Sequence, residues 1–136
     1  MESKDITSVL NLWMDKGIVF FKPHEFDSPD APGSGCLMNL EFMIILNKIR
    51  HDCGFPFVIN SGYRSLEHNT KVAEVELSAH TLGLAADIRI SGSRERFLLQ
   101  EKAQANGIRR LGIGRTYVHL DLDLSKPQGV MWDYYK

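Results

Sequence analysis

The sequence predicts an α+β fold: a small, mostly antiparallel sheet with helices packed on one of its faces. Three features lead there. Segments with helical apolar spacing cluster in the first half, one further helical segment falls between strand-like runs, and the last two strand-like runs are neighbours in sequence. Neighbouring strands joined by a tight turn pair antiparallel, so the end of the chain supplies a hairpin. At 136 residues the chain suits one domain, 1–136, large enough to bury an ordinary core.

Ser8 to Lys16 reads as a short amphipathic helix, and Val19-Phe20-Phe21 as a strand. Asp27-Ser-Pro-Asp-Ala-Pro-Gly-Ser-Gly35 is dense in turn-forming residues and reads as a loop. Leu40, Met43, Ile44 and Leu46 open a helical apolar face that runs to about His51 and stops near Gly54. Phe57-Val-Ile-Asn60, after Pro56, is a short apolar run and a buried strand. Ser65 stands where a helix N-cap belongs, with Glu67 in the first turn, so Leu66 to Val72 is a short helix. Leu84 to Ile90 reads as a strand. Ser93 caps a helix over Arg94 to Asn106 with Phe97, Leu98 and Ala105 among its apolar members, and Gly107 ends it. Arg110 to Ile113 and Tyr117 to Leu124 are strands around the turn Gly114-Arg-Thr116.

Composition narrows the function classes. Hydrophobic residues at 43% and charged residues at 24% argue against disorder. A net charge of −1 supplies no long-range field for nucleic acid, and the pair Arg109-Arg110 reads as a solvated face. No run approaches the ~20 apolar residues of a membrane helix, so no stable membrane insertion is expected. The first residues carry charges throughout and no apolar signal core, which predicts synthesis in the cytoplasm without a secretory signal. Cys36 and Cys53 are too few for a disulfide framework and read as thiols.

The chemistry concentrates in His80-Thr-Leu-Gly-Leu-Ala-Ala-Asp87 and the distant His119. Two histidines and an aspartate can supply three ligands to one zinc ion, and catalytic zinc sites commonly use three protein ligands and leave the fourth position to water. Gly83, Ala85 and Ala86 let backbone pass close to the metal. Alternation along the strand of His119 points Tyr117, His119, Asp121 and Asp123 to one side and Val118, Leu120 and Leu122 to the core. That placement makes Asp121 the expected general base, with orientation of a ligand as its competing role. Tyr117, on the same face, can donate to the developing oxyanion, with an exposed strand tyrosine as its competing reading. Arg64, in Ser61-Gly-Tyr-Arg-Ser65 after a strand, can grip a carboxylate through two parallel hydrogen bonds, or brace a helix. His24, His51 and His68 have no spacing that recruits them; His68 is expected to brace the Arg64 loop.

Together these residues amount to a resemblance. Ser61-Gly-Tyr-Arg-Ser65, Glu67-His68-Asn69, Ser78-x-His80-x-x-Gly83-x-Ala85-x-Asp87 and Val118-His119-Leu-Asp121 resemble the zinc D-Ala-D-Ala carboxypeptidase family. That family includes bacterial and phage peptidoglycan peptidases and shares its metal-site fold with the hedgehog signalling domain. Phe21-Lys-Pro-His-Glu25-Phe26, the following loop and the helix before the Ser-Gly-Tyr-Arg strand resemble its compact phage-type branch, so the similarity runs from about Phe20 to Trp132. The resemblance implies a hedgehog/DD-peptidase-like fold, zinc (Zn2+) on His80, Asp87 and His119, and Arg64 on a substrate carboxylate. Two positions depart from the pattern. The family's usual Val-Gly-Gly before the histidine motif is here Val72-Ala73-Glu74, and Thr116 stands where several relatives carry an acidic base three residues before the last zinc histidine.

The expected function is hydrolysis of peptide bonds in peptidoglycan stem peptides, by a carboxypeptidase or an endolysin-type endopeptidase. The rival expectation is an inactive zinc-stabilised module that binds the cell wall or serves a phage particle. The expected setting is the cell wall, reached by a phage holin, a virion or lysis, and the expected state is a monomer.

Overall fold

The computed structural model describes residues 5–72 and 78–135. Among these residues four α-helices and a five-stranded sheet alternate with three short 3₁₀ turns. Helix α1 spans Ile6–Asp15, α2 Leu40–Cys53, α3 Leu66–Val72 and α4 Ser93–Ala105. The strands are β1 (Ile59–Ser61), β2 (Ala85–Arg89), β3 (Arg110–Ile113), β4 (Tyr117–Asp121) and β5 (Val130–Asp133). The sheet order is β1-β2-β4-β3-β5, antiparallel except where β5 runs parallel to β3. The α+β expectation is met.

Local chemistry explains the helix ends. Asp5 caps α1 by accepting the Ser8 N–H, and Asn39 caps α2 by accepting the Phe42 N–H. Gly54 closes α2 in the left-handed region that glycine tolerates. The Ser65 hydroxyl accepts the His68 N–H, as the sequence predicted for α3. Ser93 is different: Gly92 occupies the cap and Ser93 is already helical. The buried face of α4 is Leu99 and Ala103, four residues apart, whereas the expected core residue Phe97 is 65% exposed.

One core cluster joins helices to sheet. Phe42, Met43, Leu46 and Ile49 of α2 and Leu99 and Ala103 of α4 pack with Ala86, Ile88, Leu111, Val118 and Leu120. Each fully buried large side chain contributes roughly 1.5–3 kcal/mol. The strand residues in this cluster share one face of the sheet, so the alternate residues Asp87, His119, Asp121 and Gly112 are turned to the other. Helices α2 and α4 cover one face and the polar constellation occupies its opposite.

Three expectations need correction. Val19-Phe20-Phe21 is no strand; Phe21 is an aromatic anchor, its ring 5.5 Å from that of Phe26, while Val19 is exposed. The strand from Tyr117 ends at Asp121 rather than Leu124, because Asp123 accepts from Ser125 and turns the chain. Phe57-Val-Ile-Asn60 is not a buried strand: only Ile59 and Asn60 of it enter β1 (Ile59–Ser61), and Val58 is exposed while Phe57 alone is buried. β5 has no counterpart among the expected strands. The Asp27–Gly35 loop exists as expected, organised by Asp27, whose carboxylate accepts the Gly33 and Gly35 N–H groups. Cys36 and Cys53 are buried, and burial pushes the Cys53 thiol up to about 11. Ala73 and Glu74 lie outside the described residues.

Candidate metal centre

The site lies along one row across the sheet. Ser61, Asp87, His119, Gly112 and Trp132 are consecutive register partners on β1, β2, β4, β3 and β5. His80 reaches the row from the 3₁₀ turn Ala79–Leu82. Ser78 caps that turn by accepting the His80 N–H, and Gly83 ends it at φ +70. A Cβ on Gly83 would sit 2.6 Å from the Leu37 carbonyl, so the glycine of the histidine motif serves close packing.

Gly62 explains the second motif. Its missing Cβ lets the backbone press on Phe26, where a Cβ would come within 2.7 Å. The Tyr63 N–H donates to the Phe26 carbonyl, the Arg64 N–H donates to the His80 carbonyl, and the Gly62 carbonyl accepts from His80 Nδ1 at 2.7 Å. A carbonyl only accepts, so Nδ1 carries the proton and Nε2 is left as a donor of electrons.

His80, Asp87 and His119 converge as predicted. One ligand atom from each lies within 4.8 Å of the others. His80 Nε2 is 3.3 Å from Asp87 Oδ1, and His119 Nδ1 is 2.8 Å from the same oxygen. Tetrahedral zinc with bonds of about 2.0–2.2 Å holds its ligand atoms roughly 3.3–3.6 Å apart. The first pair already has that spacing, and the second needs to open by about 0.5 Å, so the N,N,O donor set fits zinc.

The charges support one another. Burial alone would push the Asp87 carboxyl up, yet the imidazoles of His119 and His80 beside it hold it well below the usual carboxylate range. Burial pushes His80 down and outweighs the pull of Asp87. Burial also works against charge on His119, but its bonds to Asp121 and Asp87 prevail and raise it.

Asp121 stands behind the centre. Its Oδ2 lies 2.7 Å from His119 Nε2, the ring nitrogen remote from Asp87. Its Oδ1 accepts from Arg110 Nε at 2.8 Å and from the Asp123 N–H at 3.0 Å. Both oxygens are engaged, and the residue is 2% exposed. This is the arrangement that orients a metal-ligating histidine. Asp123, in turn, is held by Lys126 and Ser125.

Arg64 comes from the β1 side. Its Nη2 is 3.6 Å from Asp87 Oδ2, while Ser61 Oγ and Asn69 Oδ1 fix Nε and Nη1. Tyr117 lies on the site face with its ring 5.5 Å from that of Tyr134; burial and the Asp87 charge raise its hydroxyl. His24 and His51 are exposed and separate from the centre, and the His68 backbone N–H serves the Ser65 cap.

A cavity of about 220 Å3 borders His119 and Asp121 and is walled by Arg110, Lys126, Trp132 and Tyr134. A larger one of about 350 Å3, between Gln104, Ile108, Val130 and Met131, contains no candidate ligand. Arg110 and Trp132 escaped the sequence reading. Arg110 is no solvated arginine; its side chain is 11% exposed. Alternation along β3, which puts Arg110 and Gly112 on the face opposite Leu111, is the signal that could have found it.

The family model described as Peptidase M15 matches residues 19–123. No curated protein matches the chain.

Proposed function

The chain belongs to the peptidase M15 family, and from that premise we propose that it is a zinc metallopeptidase that hydrolyses peptidoglycan stem peptides. The observation that carries this reading is the convergence of His80 Nε2, Asp87 Oδ1 and His119 Nδ1, with the remaining ring nitrogens committed to Gly62 and Asp121. When bound, zinc supplies Lewis-acid polarisation of the scissile carbonyl and activation of the attacking water.

The chain's own residues do the rest. Arg64, anchored by Ser61 and Asn69, holds a substrate carboxylate at the rim of the centre. Tyr117 offers its hydroxyl to the oxyanion as it develops, and its raised pKa keeps that proton available. Asp121 orients His119. To act as the base expected from sequence it would have to leave that bond. The cut is at the terminal D-Ala or inside the stem, the chain works as a monomer, and the setting is a cell wall reached at phage lysis or from a virion.

A second reading has its own support. Thr116 replaces an acid that several relatives carry, and both oxygens of Asp121 are engaged, which suits a centre that holds metal and binds wall without turnover. Incubation of the zinc-loaded protein with muropeptides, with and without chelator, decides between them. Chelator-sensitive cleavage seen by mass spectrometry supports the enzyme; wall binding with intact peptides overturns it.

A further inference from the structure

We infer that Arg110 is a positioning residue for the metal centre, fixing the carboxylate that fixes His119. The inference rests on the metal reading of His80, Asp87 and His119 and extends it to a residue that acts through its bond to Asp121.

Asp121 can direct Oδ2 at His119 only if its carboxylate does not rotate. Its Oδ1 is pinned by Arg110 Nε at 2.8 Å and by the Asp123 N–H. Arg110 is itself held from two further sides. Its Nη1 donates to the Pro127 carbonyl at 2.7 Å, and its guanidinium carbon lies 4.9 Å from the centroid of the Trp132 ring. That planar fork, serving a carboxylate, a carbonyl and an aromatic face together, is what a lysine cannot reproduce.

Trp132 closes the unit. Its ring centroid is 5.6 Å from that of His119, so it touches both the residue that pins Asp121 and the histidine that Asp121 orients. Gly112 makes the room, since a Cβ there would lie 2.8 Å from the indole. Pro127 and Trp132 both follow the segment 19–123 matched by the family model, so the turn after β4 and strand β5 supply the brace from beyond the matched segment.

The test measures zinc affinity by chelator competition, and the His119 tautomer by two-bond ¹H–¹⁵N NMR of the zinc-loaded protein. Arg110→Met should bind zinc about 10–100-fold more weakly, the range typical for loss of an outer-shell partner. Its His119 signals should lose the single Nε2-protonated pattern. Arg110→Lys keeps charge and stem, should also lose affinity, and decides the matter if Arg110→Met fails to fold. A wild-type protein that takes up no zinc would overturn the metal reading itself. Normal zinc binding with unchanged affinity and tautomer in Arg110→Lys would overturn only the role of Arg110.

Discussion

His80 and His119 present different ring nitrogens to the same oxygen. His80 turns Nε2 and His119 turns Nδ1 toward Asp87 Oδ1, at 3.3 and 2.8 Å. The far nitrogen of each ring sets this choice: Gly62 takes Nδ1 of His80, and Asp121 faces Nε2 of His119. The donor set is therefore built from behind, and the predictions follow from which support is removed.

Protein purified without added metal should carry about one zinc per chain on three protein ligands. His80→Ala and His119→Ala should reduce it to background in elemental analysis. Full zinc content in either variant would sink the assignment.

Asp121→Asn should weaken zinc binding by about 10–100-fold while the fold persists. One carboxylate oxygen serves Arg110 and the Asp123 N–H and the other serves His119, whereas an amide offers a single acceptor oxygen. Chelator competition reads the effect. Normal affinity with turnover lowered by ~10²–10⁴ would instead identify Asp121 as the base.

Arg64→Lys should lower kcat/KM by about tenfold or more on peptides with a free carboxylate, given roughly 1.5–3 kcal/mol for a charge-assisted hydrogen bond. Amidated peptides should show little change. Equal losses on both would make Arg64 a structural brace.

Gly62→Ala should destabilise the protein by ~1–3 kcal/mol, because the new Cβ would meet Phe26 at 2.7 Å. The shift also draws the carbonyl away from His80 Nδ1, so zinc affinity should fall in parallel. Denaturant melts and chelator competition check the pair, and an unchanged melt would refute the close-packing role.

The pH response should have opposite signs with and without zinc. His119 is raised above its ordinary value by its two carboxylates, so its pairing stabilises chelator-stripped protein fully below about pH 6.5. That contribution is lost as pH rises through the raised value. Zinc needs Nδ1 without its proton, so affinity should climb by about tenfold per pH unit until His119 has deprotonated, then level off. Thermal melts should show a zinc-induced gain in Tm that grows with pH; a gain that shrinks over that range would contradict the geometry.

Sequence by itself determined the helices, the strands β2 to β4 and the identity of the three residues that converge. These are written in short-range signals: apolar spacing in α2, capping residues such as Ser65, and the alternation that sets His119 and Asp121 opposite Val118 and Leu120. Tertiary structure alone decided the rest. β5 pairs parallel with a strand that ends 17 residues earlier, and its mostly exposed residues carry no alternation to read. Which nitrogen His80 turns to Asp87 depends on Gly62, 18 residues away; His119 meets Asp87 across 32 residues, and whether its neighbour Asp121 faces solvent or the ring depends on Arg110, 11 residues back. Chain spacing tells which residues can meet, but the direction of a buried polar atom is fixed by the partner that satisfies it, and only the assembled sheet brings those partners together.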